Sequence, residues 1–165
     1  MNMGAPFNYL SEQYKIVAAT AGSVTTNGGV TLDNVSLKNV KQAWILLFFL
    51  QAATHATVFT PKLGTAVAAA ATAITFSADW WKNPDVSLTD TLVKQTAATT
   101  VACTAGTTNQ ILLIKIDPAQ VAAQGAYDVL GGVVTTSGEV TNFVTGLYLL
   151  ETKYEQATPP AAITD

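Results

Sequence analysis

Residues 43–50, Ala-Trp-Ile-Leu-Leu-Phe-Phe-Leu, are apolar without a break and form the strongest hydrophobic run in the chain. The run has no polar face of the kind an amphipathic helix needs, and it falls far short of the about 20 residues of a membrane-crossing helix. It predicts a central strand covered on both faces inside a sandwich core. Residues 54–60, Thr-His-Ala-Thr-Val-Phe-Thr, predict a second strand paired with the first. Pro61 has no N–H to give to a sheet, so it should stop that strand or hold it at an edge. Residues 110–116 predict another strongly apolar strand, and residues 14–20 a short one. Residues 140–154 suit a long strand with a bulge, because Phe143, Gly146 and Leu147 break strict alternation.

Weaker patterns fill the gaps. Asn27-Gly28 is a strong turn signal, since both residues tolerate positive φ. Val30, Leu32, Val35 and Leu37 follow it, and their change of spacing at Asp33-Asn34 predicts a turn or bulge. Residues 63–73 are Ala-rich and suit a loop or a small helix equally. Residues 74–78 resume β character, and residues 79–85 predict a surface bend closed by Asn83-Pro84-Asp85. Residues 92–103, almost all Thr, Ala and Val, suit one strand with a shallow face. Pro118 opens a helical turn over 118–124 with Asp117 as its N-cap and Gly125 as its end. Residues 127–135 predict a strand interrupted by Gly131-Gly132.

About eight to ten strands without a repeated β–α pattern predict an all-β antiparallel sandwich with extended termini, jelly-roll-like connections being one form it can take. The expected division is an N-terminal arm at 1–13, a β-sandwich domain at 14–155 and a C-terminal tail at 156–165. Phe7, Tyr9 and Leu10 would anchor the arm. Pro159-Pro160 would keep the tail extended.

Composition changes the picture of the surface. Of 165 residues only 19 are charged, while Thr and Ala together supply 51. A typical soluble domain has about one quarter charged residues. A surface of Thr, Ser, Asn, Gln and Ala can be buried against neighbours without stranding many charges. This favours an assembled structural protein over a free enzyme. The net charge of −3, the scattered lysines and the absence of arginine argue against direct nucleic-acid binding. Residues 1–14 lack a basic start followed by an apolar stretch, so no secretory signal is expected, and the strongest apolar run, residues 43–50, is too short for a membrane partner to be expected.

Candidate chemistry is sparse. His55 is the sole histidine and Cys103 the sole cysteine, so an inert core or sheet thiol is expected. A catalytic triad would have to join His55 to an acid and to Ser77 or Ser87, and no nucleophile-elbow sequence frames either serine. A zinc site would want several Cys and His ligands. Asp79, Asp85 and Asp90 lie around Trp80 and Trp81, a pattern open to sugar binding or to calcium, but turn-capping acids around packed aromatics are the stronger reading. Gly28, Gly29, Gly131 and Gly132 form no phosphate-binding motif. The expectation is a protein without catalytic residues, cofactor or metal.

Several stretches carry a family resemblance. They are Thr25-Thr26-Asn27-Gly28-Gly29-Val30, Val35-Ser36-Leu37-Lys38-Asn39-Val40 with Ala43-Trp44, and Trp81-Lys82-Asn83 with Asp85. Asp90-Thr91-Leu92-Val93, Ile114-Lys115-Ile116-Asp117-Pro118, Thr141-Asn142-Phe143-Val144 and Glu151-Thr152-Lys153-Tyr154 continue the pattern. Over nearly its whole length the chain resembles small tailed-bacteriophage proteins encoded among head genes. It departs at Gly125-Ala126-Tyr127-Asp128, where the family pattern is richer in Phe. The resemblance implies a virion structural protein, made in the host cytoplasm, that decorates or stabilises the capsid surface. Its partners would be the major capsid protein and copies of itself, a trimer being one closed form. Interface candidates are Phe7, Tyr9, Leu10, Trp80, Trp81, Tyr154, Pro159 and Pro160. Two other readings stand beside it: a tail, adaptor or fibre-associated subunit, and a carbohydrate-binding module using Trp80 and Trp81.

Overall fold

A computed structural model describes residues 13–153. Two antiparallel sheets pack face to face, giving the expected all-β sandwich. The first sheet runs in the order β1 (Tyr14–Ala18), β13 (Phe143–Thr152), β5 (Val40–Leu50), β11 (Gln110–Ile116), β8 (Asp79–Asn83) and β9 (Val93–Lys94), with β2 (Val24–Thr25) also on β13. The second runs β10 (Val101–Cys103), β6 (Thr57–Gly64), β12 (Val129–Val134) and β3 (Val30–Thr31). Two short strands join it, β4 (Val35–Ser36) on β12 and β7 (Thr72–Ala73) on β6. Along the chain the longer strands alternate between layers. β5 lies in the first, β6 in the second, β11 in the first, β12 in the second and β13 in the first. Each crossing wraps the chain around one shared core. Ile45, Leu47, Phe49, Phe59, Leu63, Leu112, Ile114, Ile116, Leu130 and Tyr148 are fully buried there.

The hydrophobic run is the central strand β5, paired with β13 on one side and β11 on the other. It is not covered on both faces by the described residues. Ala43, Ile45, Leu47 and Phe49 face the core, whereas Trp44, Leu46, Phe48 and Leu50 point away and are half-buried. This is the alternation of an antiparallel sheet with one face on the core, but here both sets of positions are apolar.

Other expectations are corrected by pairing across the layers. The strand at 54–60 begins at Thr57, extends through Pro61 to Gly64 and lies in the sheet opposite β5, so the two do not pair. Pro61 sits inside a central strand. Its carbonyl accepts from Ile74 N at 3.3 Å, so its missing N–H faces the same side. There β10 has ended opposite Phe59 and β7 begins opposite Lys62. The gap between two short neighbours is where a proline costs no ladder hydrogen bond. Residues 79–83 are strand β8 rather than a bend, paired along its whole length with β11. Residues 92–103 supply two short strands in different sheets, not one. Residues 63–73 are loop, apart from the end of β6 and the two residues of β7. Gly131-Gly132 does not interrupt β12, which pairs with β6 through both.

The helical turn is as expected. It is α1 (Pro118–Gln124), with the Asp117 carboxylate accepting from Ala119 N at 2.8 Å. The Asn27-Gly28 turn is closed by Gly29 N donating to Thr26 O, with Gly29 at φ +80°. It carries the chain from one sheet to the other rather than making a hairpin. The bulge in β13 falls between Glu151 and Thr152. Phe7, Tyr9, Leu10, Tyr154, Pro159 and Pro160 lie outside the described residues, as do most of the arm and the tail.

Candidate interaction surface

The outward positions of the first sheet line up in cross-strand rows. Ile16, Leu149 and Trp44 form one, ending at Lys115 and Asp79. Ala18, Leu147, Leu46, Leu113, Trp81 and Lys94 form the next. Thr145, Phe48 and Ile111 follow, then Phe143 and Leu50. Trp44 and Trp81 meet across this face with ring centroids 5.6 Å apart and planes tilted by 44°. Ile16 at its margin is 53% exposed, and Leu88 in the nearby loop is 84% exposed. Monomeric proteins seldom show so continuous an apolar face, and such faces mark contact sites.

The margins of the face carry charges of both signs. Lys94 Nζ lies 3.1 Å from Asp79 Oδ1 and 5.5 Å from the centre of the Trp81 ring. Lys41 Nζ lies 2.6 Å from Glu151 Oε1, and this carboxylate raises the lysine pKa. Lys115 Nζ stands 6.0 Å from the Trp44 ring. The outer face of the second sheet differs in kind. Val58, Thr60, Lys62 and Val133 occupy it, and Asn34 crosses Gly131 to donate to Val67 O at 2.8 Å.

Of the aromatic pair singled out from the sequence, Trp81 belongs to the apolar face and Trp80 does not. Consecutive residues of a strand point to opposite sides. Trp80 packs against the core, and its Nε1 donates to Thr96 O at 2.8 Å. The two indoles therefore make no shared flat platform. Trp44 was the missed member, hidden inside an apolar run that looked wholly internal.

The scattered polar candidates have other partners. His55 Nδ1 lies 3.1 Å from Glu139 Oε1 at the surface. Ser87 Oγ donates to Asp85 at 2.6 Å, and this bond holds the Asp85 carboxyl below its ordinary range. Asp79 is engaged by Lys94. Lys82 was also missed. It points inward from β8, is only 7% exposed, and donates to Thr104 Oγ1 at 2.9 Å and Ala102 O at 3.3 Å, tying the first sheet to the end of β10. Burial lowers its pKa.

Cys103 is fully buried, and that burial pushes its thiol up to about 11 from an ordinary 9.0, with Lys82 acting in the opposite direction. In the unfolded chain the thiol ionises first. The folded state then holds the extra proton, so stability falls as pH rises from 9 to about 11. The loss expected by about pH 11 is about 2 kcal/mol. Urea midpoints at about pH 8 and about pH 11 should show a shallower alkaline decline for Cys103→Ala than for the parent. Lys82 contributes in the opposite sense and is common to both proteins.

No helix among the described residues is long and apolar enough to cross a membrane. No family model and no curated protein matches the sequence. Among solved structures, the fold is similar to the SPBc2 prophage-derived protein YomS, with TM-score 0.47 and 6% identity over 83% of this chain and 91% of that one. The catalytic domain of a GH87 alpha-1,3-glucanase gives TM-score 0.30 and 11% identity over 93% of this chain and 30% of that one. The CBM22-1–GH10 modules of Clostridium thermocellum xylanase 10B give 0.29 and 13% over 92% and 28%. With TM-scores below 0.5, these likenesses do not bear on what the chain does.

Proposed function

We propose that the chain is a tailed-phage virion structural protein that decorates or stabilises the capsid through protein–protein contact. The observation that carries this reading is the apolar outer face of the first sheet, centred on Trp44, Leu46 and Phe48. A β-sandwich needs only one apolar face per sheet. A second one has a use when another protein covers it. The low charge of the rest of the chain fits burial among neighbouring subunits, and the sequence resemblance to phage head-region proteins supplies the context.

Cryo-electron microscopy of the particle that encodes the chain tests the reading. The expected result is density for the sandwich on the capsid surface at regular lattice positions. Virions without the gene should release their genome at a lower temperature. Purified virions free of the chain by mass spectrometry would overturn the proposal, and so would density confined to the tail or neck.

A further inference from the structure

We infer that the outer face of the first sheet is a self-association surface: two copies pack it face to face about a two-fold axis, with Trp44, Leu46, Phe48, Leu147 and Trp81 at the centre. This pairing rests on reading that face as a contact surface.

Size is the first argument. β1, β13, β5, β11 and β8 lie side by side. At about 4.8 Å between strands and about 3.3 Å per residue, the five strands span roughly 24 by 23 Å over about seven residues. That is roughly 550 Å² per copy and about 1,100 Å² for the pair, above the about 1,000 Å² a specific interface needs. A flat sheet face also meets another at about 10 Å, the spacing already used inside sandwiches.

Charge is the second argument. In a two-fold interface a patch meets its own copy, so a patch of one sign repels itself. Here Asp79 and Glu151 stand with Lys94, Lys41 and Lys115, and two of the three lysines are already paired within the chain. Lys115 lies over the Trp44 ring at the margin, not in the apolar centre. The face is thus neutral enough to meet itself. Three lysines against two carboxylates leave a net charge of +1, too little to steer an acidic or a basic partner.

The test is solution mass by sedimentation, using the full chain. The parent protein should be a dimer at micromolar concentration. Leu46→Lys should weaken the pairing at least about 100-fold, the effect of burying an unpaired charge. Thr145→Lys should do the same, and it replaces a residue that is already polar, so its fold is safer. Thr60→Lys, on the outer face of the other sheet, should leave the dimer intact. Circular dichroism should match the parent in all three. A parent that stays monomeric at about 100 μM overturns the pairing, whether the chain's own terminal residues or a different protein covers the face. A mass unmoved by both Leu46→Lys and Thr145→Lys overturns it too. Particle microscopy separates the two proposals: a monomer seated by this face on a capsid keeps the virion reading and removes the dimer. A dimer absent from virions does the reverse.

Discussion

Gly132→Ala should destabilise the fold by roughly 3 kcal/mol, at the upper end of overpacking costs. A Cβ at position 132 would stand 2.2 Å from Cε2 and 2.4 Å from Cζ of Phe59, with Thr60 O at 3.3 Å. Phe59 is a fully buried core ring, so it has no free space to move into. Gly132 and Phe59 both point into the core from neighbouring strands, and the ring lies across the space a side chain at 132 would fill. The glycine is therefore required by close approach and not by an unusual φ. Gly106→Ala is the control, since its Cβ would meet only Thr108 atoms at 3.7 Å and beyond. Urea unfolding should give a large drop in midpoint for Gly132→Ala and almost none for Gly106→Ala. Equal midpoints would mean that the Phe59 ring can vacate the site.

Asn142→Ala should cost about 2 to 3 kcal/mol, because it strands backbone groups at a corner. The Asn142 side chain accepts from Ala52 N at 3.0 Å and Ala53 N at 2.9 Å, and it donates to Ala53 O at 2.9 Å. These contacts tie the segment before β13 to the turn by which the chain leaves β5 for the opposite sheet. The residue is buried, and its own carbonyl accepts from Thr26 N. One residue thus joins three connections at the same end of the sandwich, two through its side-chain amide and the third through its main chain. Asn142→Asp keeps the acceptor for both N–H groups and loses only the donor, so it should fall between parent and alanine variant. A urea midpoint for Asn142→Ala within error of the parent would show that water replaces the amide without cost.

The same corner explains what the sequence could and could not reveal. Gln51 and Gln110 are buried beside it, with Gln110 Nε2 donating to Gln51 Oε1 at 2.8 Å and to Thr104 O at 3.0 Å. Amides that close the end of a core leave no mark in a hydrophobic pattern. The runs at 43–50 and 110–116 were legible because many apolar residues agreed. The strand at 79–83 was not, because it has only two inward positions, Trp80 and Lys82, and Lys82 is satisfied by hydrogen bonds to Thr104 and Ala102 rather than by apolar contact. The pairing of 57–64 was unreadable for a different reason. Partners across a sandwich are chosen by crossings between layers, and neighbours in sequence need not be neighbours in a sheet.

The candidate surface was half legible. Its apolar content stood in plain view, but a continuous run does not say which half of its side chains a second sheet will cover. Trp80 and Trp81 looked like a pair because they are adjacent in sequence. In a strand that adjacency separates them, and the partner of Trp81 is Trp44, two strands away in the sheet. A cross-strand neighbour of this kind becomes visible only once register is known.

The pairing of β1 with β13 has a practical consequence. Tyr14 lies opposite Glu151, and Thr152 Oγ1 reaches Gln13 O at 3.4 Å. The domain is thus entered and left through one doorway. A short linker could join residue 153 back to residue 13 and close the domain into a ring, with new ends opened in the loop around Leu88. Such a permutant would keep every long strand intact, and peptides displayed from the new ends would sit at a different edge of the molecule.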